Sequence, residues 1–170
     1  MRRAALALSC AITLALALSP GGAVGQKEKE KEKRGEAKGQ TAELPKGFRD
    51  WVHTKSMVIP DKTHGLYGFH NIYANPPALK TLKAGGTYPE ASIFVASFYE
   101  VVDRDGAVTA GDKLMDVVMV KDKKATETGG WAYSAFGPDG KPLAVDPVAD
   151  CYNCHTSVRD TDYVFHSFVE

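Results

Sequence analysis

From residue 44 onward the apolar residues come in short runs, each stopped by glycine, proline or a charged turn, and most runs carry the two-residue alternation of strands. The first departs from it: Pro45 to His53 spaces Phe48, Trp51 and Val52 onto one helical face and predicts a short helix. Met57-Val58-Ile59, before Pro60, is extended. Leu66 to Ala74, rich in aromatic and β-branched residues, predicts a strand that Asn75-Pro76-Pro77 ends. Ala78 to Lys83 predicts a helical turn or two closed by Gly85-Gly86. Ser92 to Val102 is the clearest strand, Asp103-Arg104-Asp105-Gly106 is a turn, and Leu114 to Val120 pairs back. Gly130 to Phe136 is a further strand, stopped by Gly137-Pro138-Asp139-Gly140. Asp146-Pro147 starts a helix, and Asp160 to Phe168 forms a last amphipathic segment with Tyr163, Val164 and Phe168 inward. Successive strands joined by short turns make an antiparallel sheet. The expected fold is therefore α+β and β-dominated: an antiparallel sheet, short flanking helices and a C-terminal helix.

The first 43 residues follow a different pattern. Met1-Arg2-Arg3 is basic, Ala4 to Leu18 is an almost unbroken apolar run, and Ala23-Val24-Gly25 offers small residues at a cleavage spacing. Residues 1–25 read as a signal peptide, which predicts an exported, periplasmic protein. The run falls short of the roughly 20 residues that a membrane span needs, and an uncleaved anchor is the alternative. Residues 26–43, dominated by Lys27-Glu28-Lys29-Glu30-Lys31-Glu32-Lys33-Arg34, have nothing to bury. They read as a charged flexible linker, with a docking tail as the alternative, leaving residues 44–170 as one domain.

Charge adds little. Lysine plus arginine and aspartate plus glutamate each number 21, and removal of residues 1–25 takes away two arginines and leaves a net charge of −2. Acids dilute the bases throughout, which argues against a nucleic-acid partner.

Cysteine usage changes the picture. Of the 3 cysteines, Cys10 lies in the leader, so the mature chain keeps Cys151 and Cys154, both within Cys151-Tyr152-Asn153-Cys154-His155. Cys-x-x-Cys-His is the attachment signature of a c-type haem. Two thiols at this spacing bond to the two porphyrin vinyl groups, and the histidine that follows is held against the iron as its axial ligand. The expected cofactor is one haem c, covalent through Cys151 and Cys154, with His155 on the metal. A dithiol redox pair or half of a zinc site are the alternatives, but the first lacks a strand followed by a long helix and the second lacks further cysteines. No methionine follows the motif. Met57, Met115 and Met119 all precede it and read more simply as strand residues.

Several short stretches then carry a resemblance. Trp51-Val52, His70 to Pro76, Tyr88-Pro89-Glu90-Ala91-Ser92, Val120-Lys121-Asp122, Thr128 to Tyr133, Cys151 to His155 and Asp162-Tyr163-Val164-Phe165 resemble, in order and spacing, the cytochrome P460 family and its relative cytochrome c′-beta, across roughly residues 45 to 168. The resemblance implies a periplasmic mono-haem protein, often a homodimer, with a five-coordinate haem open on its distal side. Members either oxidise hydroxylamine or bind small gases such as nitric oxide and carbon monoxide. The hydroxylamine oxidisers cross-link a strand lysine to the porphyrin edge, and the matching position here is Ala96, which forms no such bond. They also carry a distal glutamate where this chain has Val117, with Asp116 on the opposite strand face.

The expected distal wall is the face of the main strand bearing Phe94, Ala96 and Phe98, with the two phenylalanines forming an apolar cap beside the small alanine. The alternative is that both are ordinary core. His70, on the preceding strand, is the polar candidate: it would bond a ligand, titrate near neutral pH or occupy the sixth iron position. His53, His64 and His166 rank below it, and Glu100 with Asp116 would be a proton relay or merely solvated carboxylates. Three functions follow. The first is a cytochrome with an open site that binds nitric oxide or carbon monoxide, or handles one-electron chemistry of nitrogen oxides, with a small redox protein as partner. The second is an enzyme on hydroxylamine or a related nitrogen compound. The third is a six-coordinate electron carrier.

Overall fold

The computed structural model describes residues 42–165 and Phe168. The leader, the linker as far as Thr41, and His166 lie outside the described residues. The strands are β1 (Val52–Ile59), β2 (Gly68–Ala74), β3 (Ile93–Arg104), β4 (Ala107–Lys121), β5 (Trp131–Phe136) and β6 (Pro142–Leu143). They form one six-stranded sheet in the order β1-β2-β3-β4-β5-β6, every neighbour antiparallel. The β-dominated antiparallel fold expected from the alternation is the fold observed.

Register fixes which residues share a face. Phe94 on β3 pairs with Ala74 on β2 and Met119 on β4; Ala96 pairs with Ile72 and Val117; Phe98 pairs with His70 and Met115. These residues make one face, because cross-strand partners point the same way. The intervening residues, Val95 with Tyr73 and Val118, make the other. Each face has its own core. On the first, Phe94, Met119, Trp131 and Tyr133 pack with Ala78, Leu82 and Tyr88 and with Val164 near the C-terminus. On the second, Val95, Val118 and Phe136 pack under Phe48.

Helix α1 (Pro76–Ala84) crosses from β2 to β3 and covers one end of the first face with Ala78 and Leu82. Proline at its start has no N–H to satisfy, and Asn75 caps it. The Asn75 side chain accepts from Ala78 N at 3.1 Å and from Ile93 N at 3.0 Å and donates to Ala91 O at 2.9 Å, so it ties the helix to the entry of β3. Asn75→Ala removes a cap and takes the side-chain partner from three backbone groups, Ala78 N, Ile93 N and Ala91 O. It is expected to destabilise the protein by about 2 kcal/mol, seen as a lower urea midpoint at unchanged slope. An unchanged midpoint would refute this account of Asn75.

Two expected helices are corrected. Pro45 to His53 gives only the single 3-10 turn Phe48–Asp50 before β1 begins. Phe48 is buried as expected, but Val52 pairs with Ala74 and is 43% exposed. The β-branched and aromatic neighbours that β2 offers outweigh a local helical pattern one turn long. The segment from Asp160 likewise leaves the helix at Thr161, and Asp162 and Tyr163 adopt left-handed φ of 53° and 67°. Val164 is nonetheless buried, with Tyr163 and Phe168 packed against the same core.

Candidate haem site

The Cys-x-x-Cys-His stretch lies on a continuous helical run of changing pitch: a π-helix Pro147–Tyr152, a short α-helical stretch Asn153–His155 and a 3-10 helix Thr156–Thr161. Asp146 starts it, its carboxylate accepting from Val148 N at 2.9 Å and Ala149 N at 3.0 Å. On a helical path residues three and four apart share a side, so Cys151, Cys154 and His155 present their side chains together. Cys151 is half-buried against the first core, Cys154 is exposed, and neither is in a disulfide. Burial, with Asp150, Asp146 and Cys154 nearby, pushes the Cys151 thiol up to about 11. Among the described residues no group of three or more histidine, cysteine or acidic side chains is placed to hold a metal ion.

His155 is half-buried between Tyr133, at 5.3 Å between ring centroids, and Phe165, at 4.9 Å. Its Nδ1 lies 2.6 Å from the Tyr163 carbonyl oxygen. A carbonyl only accepts, so Nδ1 carries the proton and donates, and Nε2 keeps its lone pair. Burial lowers the imidazole's pKa, and the Tyr163 bond opposes this in part. The ring is thus a neutral imidazole with a basic Nε2, which is the form that ligates iron.

Sequence reading missed where that carbonyl comes from. It is aimed by two successive left-handed residues, Asp162 and Tyr163, a conformation that costs roughly 1–2 kcal/mol per non-glycine residue. The aspartate tolerates left-handed backbone, which was the available signal; tyrosine gives none. The turn persists because Asp162 is held at every polar atom. Its N donates to Arg159 O at 2.9 Å, and its O accepts from Trp131 Nε1 at 2.9 Å. Its Oδ1 accepts from Lys121 Nζ at 2.6 Å, and its Oδ2 accepts from Tyr88 N at 2.8 Å.

The four expected distal residues do share one face, but with unequal freedom. Phe94 is buried in the core, edge-on to Tyr88 at 5.4 Å. Phe98 is buried under His70, ring centroids 3.9 Å apart. The His70 Nε2 bonds the Leu66 carbonyl at 2.9 Å, and burial lowers its pKa, so the ring is neutral at pH 7. Ala96 lies half-exposed between Ile72 and Val117. Asp116 is on the other face, fully buried, accepting from Ser97 Oγ at 2.7 Å and paired with Lys113. Glu100 accepts from Tyr67 OH at 2.8 Å.

The residues present suit a large flat apolar group with an iron at its centre. Ile72, Ala96, Met115 and Val117 are apolar yet only half-buried on the first face, and the same face carries Met57 and Leu143, exposed by 39% and 43%. Tyr133, on this face beside His155, is 1% exposed and its hydroxyl meets no hydrogen-bond partner. A buried orphan hydroxyl is uncommon and marks a place where a further group is to be met.

Comparison with known proteins agrees. Among the described residues no helix is long and apolar enough to cross a membrane. A comparison with curated proteins finds no match. The family model for cytochrome P460 matches residues 45–166, which takes in the whole sheet, the Cys-x-x-Cys-His run and the Asp162 turn, and the chain therefore belongs to the cytochrome P460 family of haem cytochromes.

Proposed function

We propose that the protein is an exported, periplasmic mono-haem cytochrome that holds haem c through Cys151 and Cys154, ligates its iron with His155 and leaves the other side to a small gaseous ligand such as nitric oxide or carbon monoxide. The observation that carries the reading is the His155 ring, with Nδ1 tied to Tyr163 and Nε2 without a hydrogen-bond partner among the described residues. When bound, the haem supplies an iron that takes up a diatomic ligand or passes one electron.

The chain's own residues favour binding over turnover. Oxidation of hydroxylamine releases protons, and a base must take them. Ile72, Ala96 and Val117 offer none. Asp116 is committed to Ser97 and Lys113 on the far face. His70 donates from Nε2 to the Leu66 carbonyl and lies tilted against Phe98, so the base it retains is Nδ1. An apolar wall excludes water and suits a neutral diatomic ligand. Ala96 at the position of the cross-linking lysine supports an unmodified porphyrin.

The test is the ferrous absorption spectrum before and after carbon monoxide, on protein made in a host that attaches haem c. The expected result is an ordinary high-spin c-type spectrum that shifts on addition of the gas. A strongly red-shifted main band would signify a modified porphyrin and put the hydroxylamine-oxidising reading first. A sharp low-spin spectrum untouched by carbon monoxide would replace both with a six-coordinate electron carrier.

A further inference from the structure

We infer that Asp162, clamped by Lys121 and by the Tyr88 backbone amide, is a positioning residue for the axial ligand, holding the Tyr163 carbonyl on His155 Nδ1 and so lowering the reduction potential of the bound haem. The inference rests on the reading of His155 as that ligand.

Two consecutive left-handed residues, the second a tyrosine, are not a conformation a chain adopts without compensation. Such outliers persist where the surroundings over-determine them, and they gather at functional sites. Here the surroundings are identifiable. Lys121 and Asp162 are 41 residues apart in sequence and both largely buried, with side chains 13% and 12% exposed. Lys121 is fixed at the end of β4 by its own backbone, N to Ser92 O at 2.8 Å and O from Ala91 N at 3.0 Å. Its ammonium also lies 4.9 Å from the Trp131 ring centre, and the Trp131 Nε1 donates to the Asp162 carbonyl. Sheet, ion pair and indole thus converge on one residue. What that residue delivers, one position along the chain, is a carbonyl 2.6 Å from His155 Nδ1.

The chemical consequence has a definite sign. An acceptor that pulls on the Nδ1 proton raises the basicity of Nε2. A more basic ligand donates more charge to the metal and stabilises the ferric state over the ferrous. A firmly held carbonyl therefore keeps the potential low, and a released one lets it rise.

The test uses haem-loaded full-length protein and three variants. Asp162→Gly keeps a backbone that allows the left-handed turn and deletes both side-chain anchors. Lys121→Met deletes the ion pair and keeps an apolar stem over Trp131. Lys121→Arg restores the charge. The readouts are the one-electron reduction potential and the iron–histidine stretching band of the ferrous protein by resonance Raman. In Asp162→Gly and Lys121→Met the band is expected to move to lower frequency. The equilibrium for reduction is expected to shift about tenfold toward the ferrous form, the low end of what outer partners of a metal ligand contribute, or about 59 mV upward for one electron. Lys121→Arg is expected to recover most of both. Variants that lose thermal stability while band and potential stay at wild-type values would give the clamp a purely structural role and overturn the inference alone. A wild-type ferrous protein that is five-coordinate and high-spin yet shows no iron–histidine band would overturn it together with the assignment of His155.

Discussion

Replacing Cys151 and Cys154 together by serine leaves a protein with no haem after denaturing electrophoresis, whereas the wild type stains for haem on the same gel. The argument is local. The thioether bonds need two thiols on one side of a helical run, and only these two cysteines lie in residues 26–170. Serine keeps the size and gives an ether-forming group with no comparable nucleophilicity. The single variants separate the roles. Cys154→Ser changes an exposed side chain and is expected to leave the apoprotein core intact. Cys151→Ser also removes a half-buried thiol from the first core and is expected to lower stability as well as attachment. A third variant, His155→Gly, is expected to retain covalent haem and to lose the iron–histidine band. Haem that survives denaturation in the double variant would mean that attachment runs through other residues.

Gly129→Ala is expected to be strongly destabilising for the addition of a single methyl group. Gly129 has φ +67°, and a β-carbon there would lie 2.6 Å from two ring atoms of Tyr163 and 3.0 Å from the Tyr152 ring. Neither ring is a flexible tip. The Tyr163 ring is carried by the left-handed backbone that aims its carbonyl at His155, and it packs against Tyr152 at 5.4 Å between centroids. Overpacking of this kind costs about 1–3 kcal/mol, and a left-handed alanine adds roughly 1–2 kcal/mol, so about 3 kcal/mol is expected. For a chain of this size that is a fall in Tm on the order of 10 °C. Gly106→Ala is the control, because Gly106 has a similar φ of +79° and a methyl group there would meet no atom within 4 Å, so it isolates the backbone part. Equal losses at the two sites would show that Tyr163 gives way freely.

Both expectations concern residues that were unequally visible in the sequence. The Cys-x-x-Cys-His stretch was legible because its spacing is contained in five consecutive residues. β3 was legible because its alternation faces two cores, each of which demands every second side chain. The first half of β4 was not, since Ala107 to Asp112 is exposed except for half-buried Gly111 and therefore carries no apolar alternation. β1 hid behind the polar run His53, Thr54, Lys55 and Ser56, in which even the buried position is a threonine, and β6 is two residues long. The Asp162 turn was illegible for another reason. Its partners, Lys121, Tyr88 and Trp131, are brought together only by the sheet register, and no local pattern records that a carbonyl is owed to a histidine eight residues earlier. His70 was visible as a histidine on the face that carries Ala96, but its bond to Leu66 depends on the loop that enters β2.

The order of the strands in the sheet is also their order along the chain. Each strand therefore pairs with its neighbour in sequence, the longest connection being the helix-bearing one from β2 to β3, which keeps contact order low for a β-sheet and shortens the search that non-local pairing imposes. The Cys-x-x-Cys-His segment comes after the last strand. A chain emerging from its N-terminus has its receiving surface, from β2 to β5, available for pairing before the thiols arrive. Assembly of the sheet is then separable in time from the arrival of the Cys-x-x-Cys-His segment, which docks last onto a scaffold already in register.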